Sequence, residues 1–410
     1  MKIIESIPLG LLLFILAGWI YRSGRSLSEL RQAPTLKILN KTEGKSLETG
    51  TIPASHRGKV SVLIPAKNEE KNIADCVRPF LAQLREGDEV IVINNCSNDK
   101  TEAILKELGA VEIKGDRLND SVIQPVPFKY LNTPPTPEGW TGKNFALHLG
   151  IEHAAGDWLL FTDADTRHEP GSVHAALSFA EEKKLDLLTL LPRCLAHGFW
   201  EETIQPCAMG YMGLWFPIRK INDPKSGVYF ANGQYLLLRA EHYRKIGGHD
   251  GVKEAFLEDF ALMKKTKALG ARAMCAFGME IYGTRMYDSF DAVWRGWRRI
   301  FLHAFEQKPA QLLKCAASVF FFSVFPFAVL ILYLNHFSAS LRVYDPVGSG
   351  TLFLCLLILV IVFATAATAY KIVKARKRYA LFHPLAALVF TAILLNAFQI
   401  ALFKRKTLWR

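Results

Sequence analysis

The chain has 410 residues, half of them hydrophobic, with 50 lysines and arginines against 38 aspartates and glutamates, a net charge of +12. The basic residues gather beside apolar segments, at Arg22, Arg25 and Arg31, at Lys371, Lys374, Arg376, Lys377 and Arg378, and at Lys404, Arg405 and Lys406. That placement is membrane-flanking charge facing anionic lipid, so no nucleic-acid partner is expected, and seven scattered cysteines without a C-x-x-C pair argue against a disulfide framework and a zinc site.

Ile7 to Tyr21 is almost uninterruptedly apolar, with Lys2 offset by Glu5 ahead of it and no A-x-A-like cleavage site behind it. Residues 1–21 therefore read as a retained membrane anchor rather than a signal peptide. Residues 22–58, polar and carrying Gly, Ser and Thr, read as a linker. From residue 59 to 283, short apolar runs alternate with helical stretches. Val60 to Ile64 is a buried strand ending at Pro65, and Ile73–Leu84 is helical in pattern. Val90–Ile93 is a second strand ending at Asn94-Asn95, a helix follows near Thr101–Leu108, and Trp158–Thr162 is another strand. This alternation predicts right-handed βαβ units and a mainly parallel, Rossmann-like α/β sheet.

Residues 284–312 carry apolar side chains at Phe290, Val293, Trp294, Trp297, Ile300, Phe301, Ala304 and Phe305, the spacing of an amphipathic helix. Two tryptophans and three arginines ahead of an apolar segment describe a helix lying in the membrane interface, tryptophans among the headgroups. Residues 313–410 hold three further apolar segments, Cys315–Leu334, Thr351–Tyr370 and Leu381–Phe403, each long enough to cross a bilayer. The positive-inside rule puts the Arg22 side, and with it the α/β domain, in the cytoplasm. The Asn335–Gly350 loop, with only Arg342, suits the outside and the Lys371–Arg378 loop the inside. Three spans then leave Lys404-Arg405-Lys406 on the outer side, a conflict with the same rule.

Asp163-Ala164-Asp165 follows the Trp158–Thr162 strand, and ligands of open α/β sheets bind at the carboxyl ends of strands. Two aspartates there suit a hard, oxygen-ligated cation, which could hold the diphosphate leaving group of a nucleotide-sugar donor. An Asx-type turn capping the next helix, with Glu169-Pro170 following, explains them equally well. Glu258-Asp259 stands near a helix N-terminus, where a general base or simple helix-dipole compensation would each account for it. Arg298 is the arginine chosen to turn toward a donor diphosphate. Phe199-Trp200 and Met209–Pro217 lack clean periodicity and read as a core segment or as an apolar entrance for a lipid. His148 and His153 have poor ligand spacing and read as structural.

Taken together these motifs resemble the family 2 glycosyltransferases of the GT-A fold, over Val60 to Phe305. Ile64-Pro65-Ala66-Lys67-Asn68-Glu69-Glu70 is similar to that family's first strand and nucleotide-binding loop. Gly139-Trp140-Thr141-Gly142-Lys143-Asn144 with Ala146 resembles the loop before the donor site in the carotenoid- and hopanoid-associated membrane branch. Asp163-Ala164-Asp165-Thr166 is similar to the D-x-D metal site, Asn232-Gly233-Gln234 with Arg239 and Gly247-Gly248 to the glycine-rich elements, and Glu258-Asp259 to the E-D motif. Asn94-Asn95 stands where the family usually has Asp-Asp, and the full Q-x-x-R-W of processive relatives is absent from the Arg285–Trp297 region.

The resemblance implies an inverting transferase that moves a sugar from a nucleotide-sugar donor, a UDP-sugar in the first instance, to a lipid at the cytoplasmic membrane face. It implies Asp259 as base with Glu258 beside it, and Asp163 and Asp165 on Mg or Mn. Pro65, Ala66, Asn68, Glu69, Asn95, Lys143, Asp163 and Arg298 are the expected donor contacts. A polysaccharide synthase and a non-catalytic binding module are the competing readings. The missing Q-x-x-R-W weighs against the first and the intact Asp163, Asp165 and Asp259 against the second, while Asn94-Asn95 supports the second.

Overall fold

Strands whose every residue is apolar and buried cannot face water on either side, so they sit at the centre of a covered, parallel sheet. β1 (Val60–Ala66), β2 (Glu89–Asn94) and β5 (Trp158–Phe161) come close to this: all but Pro65 are buried, and only Ser61, Glu89 and Asn94 are polar. In the computed structural model, which describes residues 9–37, 58–113, 127–339 and 346–403, they form the middle of an eight-stranded sheet. The other members are β3 (Val111–Glu112), β4 (Phe128–Asn132), β7 (Leu187–Leu191), β8 (Leu236–Arg239) and β9 (Ala273–Phe277). The order is β9-β7-β8-β5-β1-β2-β4-β3. Every neighbouring pair is parallel except the two made by β8, which runs antiparallel to both β5 and β7. The sheet is the expected mainly parallel one. A small second sheet pairs β6 (Thr166–His168) with β10 (Tyr282–Thr284), antiparallel.

The chain divides into two compact units, one of Ala33–Arg193 with Ile218–Arg285 and one of Met1–Gln32, Cys194–Pro217 and Met286–Arg410. The first unit holds the sheet. Its core gathers Phe80, Tyr130, Trp158, Tyr235 and Tyr282, all almost fully buried. Lys129 is nearly buried too, and its Nζ stands 2.7 Å from Glu89 Oε2. Glu89 Oε1 also accepts from Ser61 Oγ and from Ala155 N, each at 2.6 Å. Removing one partner of a buried pair leaves an uncompensated charge. Glu89→Ala is therefore expected to destabilise this unit by about 3–5 kcal/mol, read as a lowered denaturant midpoint. An unchanged midpoint would show that the pair contributes nothing.

The second unit is helical. Three of its helices are long and apolar enough to cross a membrane, by length and composition: Pro309–Asn335, Gly350–Ile372 and Lys377–Leu402. They cover the three apolar segments expected from the sequence. Among the described residues the helix Leu9–Gln32 is not in that set, and it continues past Tyr21 into the stretch read as a linker. Its Leu12, Ile15 and Trp19 are buried against Val329, Cys355, Ile358 and Val362, and Trp19 Nε1 donates to the Phe322 carbonyl at 2.6 Å. Residues 1–8 of the expected anchor, 38–57 of the linker, Arg342 and Lys404-Arg405-Lys406 lie outside the described residues.

One expectation about this unit needs correction, that for the amphipathic helix, while the Phe199–Trp215 stretch is a core segment, one of the two readings its sequence allows. Phe199–Trp215 is one continuous helix. It shows no periodicity because Glu201 through Ala208 are all buried, and a helix buried all round has no polar face to reveal its period. Glu202, 1% exposed, is paired to Arg376 Nε at 3.2 Å. The amphipathic helix is Phe290–Ala304, started by the Ser289 side chain accepting from Ala292 N. Its Trp297 does not sit among headgroups: it is 3% exposed and packs in a core with Val293, Phe301 and Phe390. Trp294, half-buried, donates from Nε1 to Asn396 Oδ1 at 3.3 Å.

Candidate active site

The carboxyl edge of the first unit's sheet collects several separate pieces of chain. β1 and β2 end side by side there, with Ala66 opposite Asn94. β5 leaves the sheet at Phe161, two residues before Asp163. Because β8 is antiparallel and Leu236 lies opposite Phe161, β8 enters from this same edge and carries Asn232-Gly233-Gln234 to it. The helices Gly142–Ile151 and Glu258–Ala268 bring their N-terminal turns to the same place.

Lys143 is positioned by the start of its helix. Thr141 is the N-cap, its hydroxyl accepting from Asn144 N, the arrangement expected of a threonine ahead of a helix. Asn144 is fully buried, and its Nδ2 reaches the carbonyls of Val252, Lys253 and Ala255 at 2.9, 3.1 and 2.9 Å. The helix start is thereby stitched to the loop that precedes Glu258. Lys143 Nζ then lies 2.7 Å from Asp163 Oδ1 and 2.7 Å from Glu258 Oε1. Burial opposes the lysine charge, but Asp163, Glu258 and Asp259 outweigh it and hold its pKa above the ordinary value.

Asp259, 8% exposed, accepts from Gly233 N at 2.7 Å through Oδ2 and from Phe260 N at 2.8 Å through Oδ1. Burial first, and then the neighbouring Glu258 charge, raise its pKa to about 7. A side chain at position 233 would place its Cβ 3.2 Å from both Glu258 Oε1 and Lys143 Nζ and 3.4 Å from Asp259 Oδ2. Gly233 is thus the point on which three charged groups converge, and its missing side chain is what leaves them room.

Asp163 and Asp165 stand beyond β5. The turn between them and β6 is closed on the Asp163 carbonyl by Thr166, through its hydroxyl at 2.7 Å and its N–H at 3.3 Å. The next helix, Ser172–Glu182, is capped at Gly171, so the capping explanation for the aspartates does not hold. Asp165 Oδ1 is buried without a hydrogen-bond partner. Its pKa is raised to about 8 by burial, then by Asp163 and Glu69, and burial likewise raises Glu69. Among the described residues no three His, Cys, Asp or Glu side chains are arranged to hold a metal ion. Two strand-end aspartates do fit a cation whose other ligands come from donor phosphate and water, and the partnerless Asp165 oxygen is what such a cation would satisfy.

The other expected donor contacts fall nearby or elsewhere. Pro65 and Ala66 end β1. Asn68 adopts a left-handed backbone (φ 58) and ties two loops, donating its N–H to Ser97 Oγ and accepting Asn98 N on Oδ1. Glu69 accepts from Asn72 Nδ2 at 2.9 Å. Asn95 is buried, accepting from Thr133 Oγ1 at 3.0 Å, while Asn94 Nδ2 donates to Asn132 Oδ1. Arg298 belongs to the helical unit, where Nη1 donates to Asn396 Oδ1 at 3.1 Å and Nε is buried without a partner. The bridging of Asp163 and Glu258 by Lys143, and the Gly233 N–H on Asp259, were not foreseen. The Thr141-to-Asn144 cap pattern was the available sign of the first.

The first unit is an open, mainly parallel α/β sheet with carboxylates gathered at its carboxyl edge, where ligands of such sheets bind. Residues 61–247 match the family model described as Glycosyl transferase family 2. The 4,4'-diaponeurosporenoate glycosyltransferase of Staphylococcus aureus (strain N315) is 25% identical over 256 residues, 62% of this chain. That match spans 63% of the relative's own length. The mannosyltransferase PcManGT from Pyrobaculum calidifontis, solved in complex with GDP-Man and Mn2+, superposes with a TM-score of 0.50 at 16% identity. The superposition covers 97% of this chain and 99% of that one, a likeness of fold.

Proposed function

We propose that the protein is an inverting glycosyltransferase moving a sugar from a nucleotide-sugar donor, a UDP-sugar first among the candidates, to a lipid acceptor at the cytoplasmic face of a membrane. The observation that carries this reading is the convergence of Lys143, Glu258 and Asp259 on Gly233, with Asp163 paired to Lys143, within a stretch that matches the family 2 model. The acceptor hydroxyl is a poor nucleophile, and Asp259, held by two backbone N–H groups, takes its proton as it attacks the anomeric carbon. Attack opposite the leaving group inverts that carbon. Glu258 fixes Lys143 and the geometry around Asp259. Asp163 and Asp165 would hold Mg or Mn, which when bound neutralises charge growing on the departing diphosphate. Pro65, Ala66, Asn68, Glu69 and Asn95 line the nucleotide.

A lipid acceptor is supported by the three membrane-length helices in the same chain and by the relative named for diaponeurosporenoate. We assign residues 59–283 to the transferase domain, 284–312 to the pre-membrane helix and 313–410 to the membrane region. Labelled sugar supplied as a panel of nucleotide sugars, with a total lipid extract as acceptor, is expected to enter the organic phase. Efficient transfer to a water-soluble acceptor with no stimulation by lipid would refute the lipid assignment.

A further inference from the structure

Lys143 Nζ makes contacts of equal length to two carboxylates from different elements, Asp163 after β5 and Glu258 at the start of its helix. An ammonium on a flexible four-carbon stem can redirect its protons without moving its backbone. The backbone here is fixed by the Thr141 cap and by Asn144. Asp163 Oδ1, which a divalent cation would need, is therefore already engaged by a positive charge of the protein's own. About a quarter of the Lys143 side chain and a third of Asp163 remain exposed, so the ion pair borders open space instead of being sealed in the core. Asp165 Oδ1, two residues from Asp163, has no hydrogen-bond partner among the described residues.

We propose that Lys143 is an exchangeable stand-in for the divalent cation: it occupies Asp163 while the donor is absent and turns to the diphosphate when the donor arrives, freeing Asp163 for the metal. This deepens the proposed function and rests on it. One positive charge cannot serve the carboxylate and the diphosphate equally well. Whatever draws Lys143 off Asp163 therefore favours metal binding there, and reciprocity requires the metal to favour the diphosphate by the same factor. A lysine that only binds donor would leave metal affinity in the absence of nucleotide untouched. A lysine that only supports the fold would lower it on removal.

The test is Mn2+ binding to the detergent-solubilised full chain, followed by the electron paramagnetic resonance signal of free Mn2+, with and without UDP. Without nucleotide, Lys143→Met is expected to bind Mn2+ about tenfold or more tighter than wild type, because a like charge within a few ångströms of the cation is gone. UDP should tighten Mn2+ binding more in wild type than in the variant. Adding Asp163→Asn to Lys143→Met should abolish the gain. If Lys143→Met fails to fold, Lys143→Gln keeps a polar tip and allows the same comparison. Equal or weaker Mn2+ binding by the variant, or a gain that survives Asp163→Asn, would overturn the proposal. Should the affinities follow this order while no nucleotide sugar is turned over, the exchange stands and the transferase reading falls.

Discussion

Asp259→Asn is expected to lower sugar transfer by about 10²–10⁴, the usual worth of a positioned proton acceptor, while donor binding is largely kept. The carboxylate receives one backbone N–H on each oxygen, from Gly233 and from Phe260. An amide can accept only one of them, so some loss of stability accompanies the substitution and the thermal midpoint should be measured beside the rate. The wild-type pH profile gives a second reading of the same group. Burial and then the Glu258 charge raise the Asp259 pKa to about 7. A base works ionised, so kcat/KM should rise with pH through about 7 and be lost below it. A folded Asp259→Asn protein that binds donor and turns over normally would remove the assignment.

Asp165→Ala is expected to abolish divalent-cation dependence together with most of the rate. The departing diphosphate needs positive charge, and the buried Asp165 Oδ1 has no hydrogen-bond partner among the described residues. Burial, Asp163 and Glu69 all disfavour its ionised form, so a cation at this edge would relieve a real electrostatic cost. Full turnover by the wild-type chain in excess chelator would contradict the role given to both aspartates.

The sheet was legible because β1, β2 and β5 are short, mostly apolar runs bounded by Pro65, Asn94-Asn95 and Asp163. The three membrane-length helices were legible for the same reason: length and apolarity are local properties of sequence. Phe199–Trp215 was not, since a helix buried on all sides looks like any apolar stretch. Trp297 was misread because amphipathic spacing tells which residues share a face but not what covers that face, and here it is protein, including Phe390. At the site, the identities of Asp163, Lys143 and Glu258 could be picked out along the chain. Their meeting could not, because it depends on β8 running against its neighbours and delivering Gly233, some seventy residues away in sequence, to the edge where β5 ends.

The central claim is that the carboxylates gathered at this edge transfer sugar from a nucleotide donor. Its most direct test is release of nucleoside diphosphate by purified full-length protein from a panel of nucleotide sugars, in Mn2+ and a lipid extract, with Asp259→Asn run alongside. The account predicts lipid-dependent release from at least one donor by the wild type and a rate reduced by about 10²–10⁴ in the variant. No release from any donor, or equal release by the two proteins, would contradict it.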